Sequence, residues 1–257
     1  MRLLSRARAT ATRLYGRYAL RHQLRWLTWW RHGRHHAAPI DPYKILWVDP
    51  ASIDRFIDMD RDEFLRIRVV VGVRGGDWDL ETLPLEEHFV YASIRAHFGE
   101  GVPWDRTAIH TVAMQGARSG VPTYHGSRSE EDLKRRLDQL DHLYEVVRTH
   151  GYRSQKELDR GTTAVPLRRR RQRPEEFDEI VVHVDRHGRF LFLDGIHRLS
   201  IAKVLSVPKI PVCVLIRHEA WQAHRNAVAR DPAAFPPETF EHPDLADLAP
   251  PKTTARA

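Results

Sequence analysis

Cysteine is almost missing: Cys213 is the single one in 257 residues, so neither an internal disulfide framework nor a cysteine-built zinc site is open to the chain. Its mid-strand setting reads as a buried core thiol, which fits a reducing compartment. No stretch approaches the roughly 18 apolar residues that a spanning helix requires. Residues 1–36 carry nine arginines and no acidic residue, and they lack the uninterrupted apolar segment and cleavage site of a secretory signal. Glu86, Glu87 and His88 superficially resemble a zinc-protease motif, but no second histidine follows at the needed spacing. A cytoplasmic protein is expected, peripheral at a membrane at most, with no metal cluster of its own.

What is present is ordinary in bulk and uneven in detail. Hydrophobic residues are 42% and charged residues 29% of the chain, the balance of a soluble protein long enough for a real core. The net charge of +7 belongs to an arm over residues 1–41. There Leu14, Tyr18, Leu24, Trp26, Leu27, Trp29 and Trp30 interleave with Arg13, Arg17, Arg21 and Arg25. That predicts a helix with aromatic and cationic surfaces and a weak point at Gly16. Its own domain, an anionic membrane surface and nucleic acid all suit such a helix. The run Arg31-His32-Gly33-Arg34-His35-His36 reads as a solvated linker.

The main domain is expected over residues 42–230. Ile45 to Val48 reads as a strand broken by Asp49-Pro50, with Ile53 and Phe56 on one face of a short helix. A second strand at 67–73 leads into Arg74-Gly75-Gly76-Asp77-Trp78-Asp79. In that loop Asp77 and Asp79 are candidates for holding a metal or acting as a base, and Trp78, beside Arg74, for stacking on a base or sugar. A tight turn anchored by Trp78 is the competing reading. A helical insertion over about 81–160 should follow, with Phe89, Ile94 and Phe98 as core residues and a further helix opening at Trp104. After Ser129, residues 130–148 place Leu133, Leu137, Leu140, Tyr144 and Val147 at steps of four and three, an amphipathic helix with a capped start. Arg168, Arg169, Arg170, Arg171 and Arg173, between Pro166 and Pro174, form either a solvated loop or a clamp for an anionic partner. Residues 231–257, rich in Pro and Ala without an apolar period, read as a flexible, disordered tail.

Residues 177–218 carry the most regular pattern. Ile180, Val182 and Val184 alternate as in a half-buried strand, and Arg186-His187-Gly188 supplies a hairpin turn. Residues 190–193 read as a strand buried on both faces. The chain then turns at Asp194-Gly195 into a helix whose Ile201, Val204 and Leu205 share a face and which Pro208 stops. Residues 210–216 form the next strand, and 219–230, with Trp221, a closing helix. His183, Asp185 and His187 alternate, but the turn starting at Asp185 argues against a metal triad. The first turn after Gly195 offers unpaired N–H groups and a positive dipole end to an anion. Gly195 permits close approach, His197 adds a donor, and Arg198 suits a two-pronged phosphate contact. Asp194 either caps the helix or meets a metal or hydroxyl.

The stretch Asp194-Gly195-Ile196-His197-Arg198, with Leu199, Ala202 and Ile210-Pro211-Val212 behind it, resembles the signature of the ParB/sulfiredoxin superfamily over roughly 40 residues. That superfamily joins the nucleotide-binding domain of chromosome-partition proteins, the sulfiredoxins and nucleotide-dependent free-serine kinases. The resemblance implies an α+β ParB/sulfiredoxin-like domain that binds ATP, ADP or CTP with Mg²⁺ at the helix start. Ile196 stands where sulfiredoxins carry their catalytic cysteine, and His197-Arg198 replaces the Arg-Arg pair of partition proteins. The Asp-Gly-x-His-Arg form is most similar to the serine kinases.

Two functions stay open. In a phosphotransferase, Gly195, Ile196, His197 and Arg198, with Arg74 and Trp78, would bind the nucleotide, while Asp194, His197, Asp77 and Asp79 handled metal or proton. In a non-catalytic ParB-like protein, the same turn would dock a phosphorylated small molecule. Residues 1–36 and the 168–173 run would then hold nucleic acid or an anionic membrane. No helix-turn-helix is evident after this block, which separates the chain from partition proteins.

Overall fold

The computed structural model describes residues 20–57, 71–121, 124–154, 157 and 175–251. Residues 1–19 of the arm, the first four residues (67–70) of the strand expected over 67–73, the arginine run at 168–173 and residues 252–257 lie outside them.

Among the described residues the fold is α+β, built on one open mixed sheet of seven strands. These are β1 (Ile45–Val48), β2 (Arg55–Ile57), β3 (Gly72–Arg74), β4 (Thr82–Pro84), β5 (Ile180–Val184), β6 (Phe190–Asp194) and β7 (Ile210–His218). Their order is β1-β7-β5-β6-β2-β4, with β3 also on β7. The long β7 is the spine. Antiparallel β1 covers its first half, parallel β3 its last three residues, and parallel β5 its other side. Flanked this way, a near-continuous apolar run is buried at every position, as a central strand should be.

β5 departs from the half-buried pattern, because all five of its positions are buried. Val182 and Val184 face a core shared with Leu199, Ala202 and Trp221. Val181 faces the other way, into a second core with Tyr43, Ile57 and Val71. His183 also lies inside the sheet. The register between β5 and β7 slips there, and His183 Nδ1 accepts the Ile216 N–H at 3.2 Å in place of a backbone carbonyl. Residues 50–57 differ from expectation as well. Asp49 Oδ1 caps a single 3-10 turn at Pro50–Ser52, after which Phe56 enters β2 between β6 and β4 rather than a helix.

Six α-helices accompany the sheet among the described residues: α1 (Leu20–Arg31), α2 (Phe89–Glu100), α3 (Ala108–Ser119), α4 (Glu130–His150), α5 (Ile196–Val204) and α6 (Glu219–Arg230). α4 starts where its capping serine predicts, with Ser129 Oγ accepting the Asp132 N–H at 3.1 Å, and it buries Leu133, Leu137, Leu140, Leu143 and Val147. The helical block begins after Pro84, since residues 82–84 belong to the sheet. It forms a core of its own that closes on α5 through Ile201. α5 is therefore wedged between sheet and helical block.

The C-terminal stretch corrects the expectation of a disordered tail as far as residue 251. Three 3-10 turns, Pro232–Ala234, Pro237–Glu241 and Ala246–Leu248, lay Phe235, Phe240, Leu245 and Leu248 on the main core. Asp244 is fully buried between Arg217 and Arg225. The arm is also anchored in its described half. Leu24 packs on the second core, Arg21 pairs with Glu176 at 2.5 Å, and the Tyr43 hydroxyl donates to the Arg21 carbonyl at 2.9 Å.

Candidate functional site

The antiparallel β5–β6 hairpin sets Asp194 opposite Val181, at the start of β5. Gly195 then takes φ of +94°, a left-handed conformation that a side chain resists. A Cβ there would also stand 3.1 Å from Ile180 Cγ1 and 3.2 Å from Ile180 Cα. Gly195 itself is the residue at the helix cap, and as a glycine it has no side chain with which to cap α5. The opening N–H groups of α5 carry the positive end of the helix dipole.

His197 stands in the first turn. Its Nε2 meets the Tyr124 hydroxyl at 2.8 Å, and its ring lies 4.9 Å from that of His125. Burial, reinforced by the like charges of His125, Arg136, His88 and Arg198, pushes the imidazole down to about 3. Burial likewise pushes the Tyr124 phenol up. The pair is neutral at ordinary pH, so His197 acts through hydrogen bonding and not as a cation. Burial is the main cause, and Arg136, which reinforces it, is a group that an anion would seek.

His125 also lines a cavity of about 350 Å³ together with Gly126, Ser127, Asp132, Arg135, Arg136 and Gln139. Its backbone is left-handed, φ +48°, a conformation that non-glycine residues hold only where the surroundings impose it. The opposite wall is the first half of α4, where Arg135 pairs with Asp132 at 2.5 Å and Arg136 reaches Gln139 at 3.5 Å. Sequence reasoning did not assign these residues to the site. The signals were the Tyr124-His125-Gly126-Ser127 turn between helices and the adjacent arginines on a helix whose apolar stripe was already recognised.

Arg198 is placed differently from expectation. Its guanidinium reaches Glu179 Oε2 at 3.3 Å and donates to the Asp178 carbonyl, with the side chain only 14% exposed. It locks the entry of β5 to the start of α5 and does not point a free fork at a ligand.

The Gly76–Asp79 loop sits elsewhere. β3 and β5 both run parallel to β7, so their ends meet near His218, whereas Asp194 pairs with the start of β5. At about 3.3 Å per residue, the length of β5 alone separates the two ends by roughly 13 Å. Asp77 and Asp79 therefore do not converge with Asp194 and His197 on one reaction centre. Both are engaged by Arg186, Asp77 at 2.8 Å and Asp79 through a two-pronged contact at 2.7 and 3.0 Å. Asp79 is buried, and although burial opposes its charge, these bonds from Arg186 hold its carboxyl below the usual range. Trp78 donates to the Arg74 carbonyl at 3.2 Å and packs its ring beside His183 and His218. The loop is anchored as the tight-turn reading supposed.

Among the described residues no group of three His, Cys, Asp or Glu side chains is placed to hold a metal ion. No described helix is long and apolar enough to cross a membrane. Compared with known proteins, the chain matches no family model, no curated protein and no solved structure.

Proposed function

We propose that the protein binds a phosphorylated small molecule at the start of α5, its phosphate on the helix N-terminus and the remainder in the cavity walled by His125, Arg135 and Arg136. The observation that carries this reading is the α5 N-terminus, opening on a glycine and joined through His197 and His125 to a cavity with two arginines on its wall. A volume near 350 Å³ lies at the small end of ligand pockets and suits a nucleotide or sugar phosphate. The resemblance of Asp194-Gly195-Ile196-His197-Arg198 to the ParB/sulfiredoxin superfamily favours a nucleotide. With Arg198 committed to Glu179, Arg136 takes the role of countercharge.

Phosphoryl transfer is the more specific form of this reading. Mg²⁺ carried by a nucleotide needs only one or two carboxylates, and Asp194 is the one that the turn supplies. Ligand-induced thermal stabilisation with ATP, ADP, CTP and GTP, each with Mg²⁺, is the test. A ligand at 100 times its Kd adds about 2.7 kcal/mol, a rise in melting temperature of roughly 5–10 °C for a chain of this size. Arg136→Ala should abolish the rise, and Asp194→Asn should retain binding while removing any turnover. An unshifted wild type, or an equal shift in Arg136→Ala, would overturn the proposal.

A further inference from the structure

We propose that the exposed indole face of α1 docks on an anionic lipid surface. Trp26, Trp29 and Trp30 are 61%, 53% and 46% exposed. At 100° per residue, these three positions span about 100° of the helix circumference. They form one stripe. The opposite side of α1 is occupied, since Leu24 packs on the core, Thr28 is buried and Arg21 holds Glu176. The helix is fixed to its domain by one face, and its aromatic face points away from it.

Charge decides which partner fits that face. Residues 1–36 contain no acidic side chain, and Arg31 and Arg34 are exposed at the end of the stripe. Indoles flanked by arginines match the headgroup layer of a negatively charged bilayer, where the ring is buried at the interface and the cation meets phosphate. Ring geometry weighs against nucleic acid. Trp26 and Trp30 stack on each other at 6.4 Å and 14°, and the Arg34 guanidinium lies 5.3 Å over Trp30. Their flat faces are partly taken, whereas base stacking requires open faces. Fewer faces are thus open to bases, while the exposed indole edges and N–H groups suit the lipid headgroup layer.

The test is flotation of the full chain, without nucleotide, on phosphatidylcholine vesicles with and without phosphatidylglycerol. The wild type should float with the anionic vesicles only. Combining Trp26→Ala, Trp29→Ala and Trp30→Ala should lower partitioning about tenfold or more while leaving the melting temperature unchanged, because the rings are exposed. Arg136→Ala should float as wild type does, which separates this proposal from the phosphate site. The proposal is overturned if the wild type fails to float or if the triple variant floats equally well. It is also overturned if the indoles mediate a dimer in gel filtration, or binding to a single-stranded oligonucleotide, with no vesicle binding.

Discussion

Replacing Asp244 by asparagine tests whether the C-terminal turns are part of the fold. The carboxylate accepts from Arg217 Nε at 2.8 Å and Nη2 at 2.7 Å, lies 3.0 Å from Arg225 Nη1, and accepts from Trp221 Nε1 at 3.0 Å. Asp244, Arg217 and Arg225 are each 2% exposed or less. Asparagine keeps the shape and removes the charge, leaving two guanidinium groups buried side by side. Removing one partner of a buried ion pair costs about 3–5 kcal/mol. At about 2–4 °C per kcal/mol for a chain of this size, the melting temperature should fall by roughly 6–20 °C. The pH dependence has a definite sign. Burial opposes the Asp244 charge, but the two arginines outweigh it and hold its carboxyl far below the usual range. Its contribution is thus complete above the unfolded value of about 3.9 and is lost as pH falls from there towards the folded value. Scanning calorimetry at neutral pH and at stepwise lower pH reads both effects. An Asp244→Asn protein that melts with wild type, or a chain truncated after Arg230 that does so, would refute the clamp.

Arg186→Ala strands the buried Asp79 and frees the Gly76–Asp79 loop, and it should cost about 2–4 kcal/mol in urea unfolding. The ligand binding proposed at α5, on the other end of the sheet, should be unchanged. Gly195→Ala forces a Cβ into a left-handed backbone position against Ile180, and about 1–3 kcal/mol should be lost, measured by thermal melting. His197 acts in the same direction as Asp244 but over a higher pH range. Its folded value is depressed to about 3, so the unfolded chain takes up the proton first and wild-type stability declines as pH drops below about 6.5. In His197→Gln that decline should be shallower between pH 6.5 and 4, as urea midpoints across the range would record.

The elements that the sequence announced are those whose information is local. Ser129 and the stripe beginning at Leu133 specify α4 by themselves, and the apolar runs at 190–193 and 210–216 admit one interpretation. The sharp turn at Gly195 was legible for the same reason. Phe56 shows the opposite case, since its neighbours permit a helix and only pairing with Phe192 and Leu83 makes it a strand. The C-terminal turns were hidden because their anchors are distant in sequence: their apolar side chains pack on the main core, and the two arginine partners of Asp244 lie 19 and 27 residues earlier. No periodicity of the segment itself encodes that contact.

The candidate site was half legible for a reason that lies in strand direction. Asp77, Asp79 and Asp194 all follow or end strands, which makes them look equivalent along the chain. Parallel β3 and β5 carry their ends to one side of the sheet, and antiparallel β6 brings its own end back to the other. The first side has a carboxylate pair, but Arg186 already binds both members, so that end is neutralised from within. The second side has a helix start opening on Gly195 next to a neutral histidine, and its nearest arginine of the expected motif is spent on Glu179. Positive charge to complete an anion site must then come from outside the motif, and Arg135 and Arg136 on α4 stand on the adjoining wall. The helical block between β4 and β5 is therefore more than an insertion tolerated by the sheet. In the proposed phosphate site it would supply the wall and the charge that the turn alone lacks.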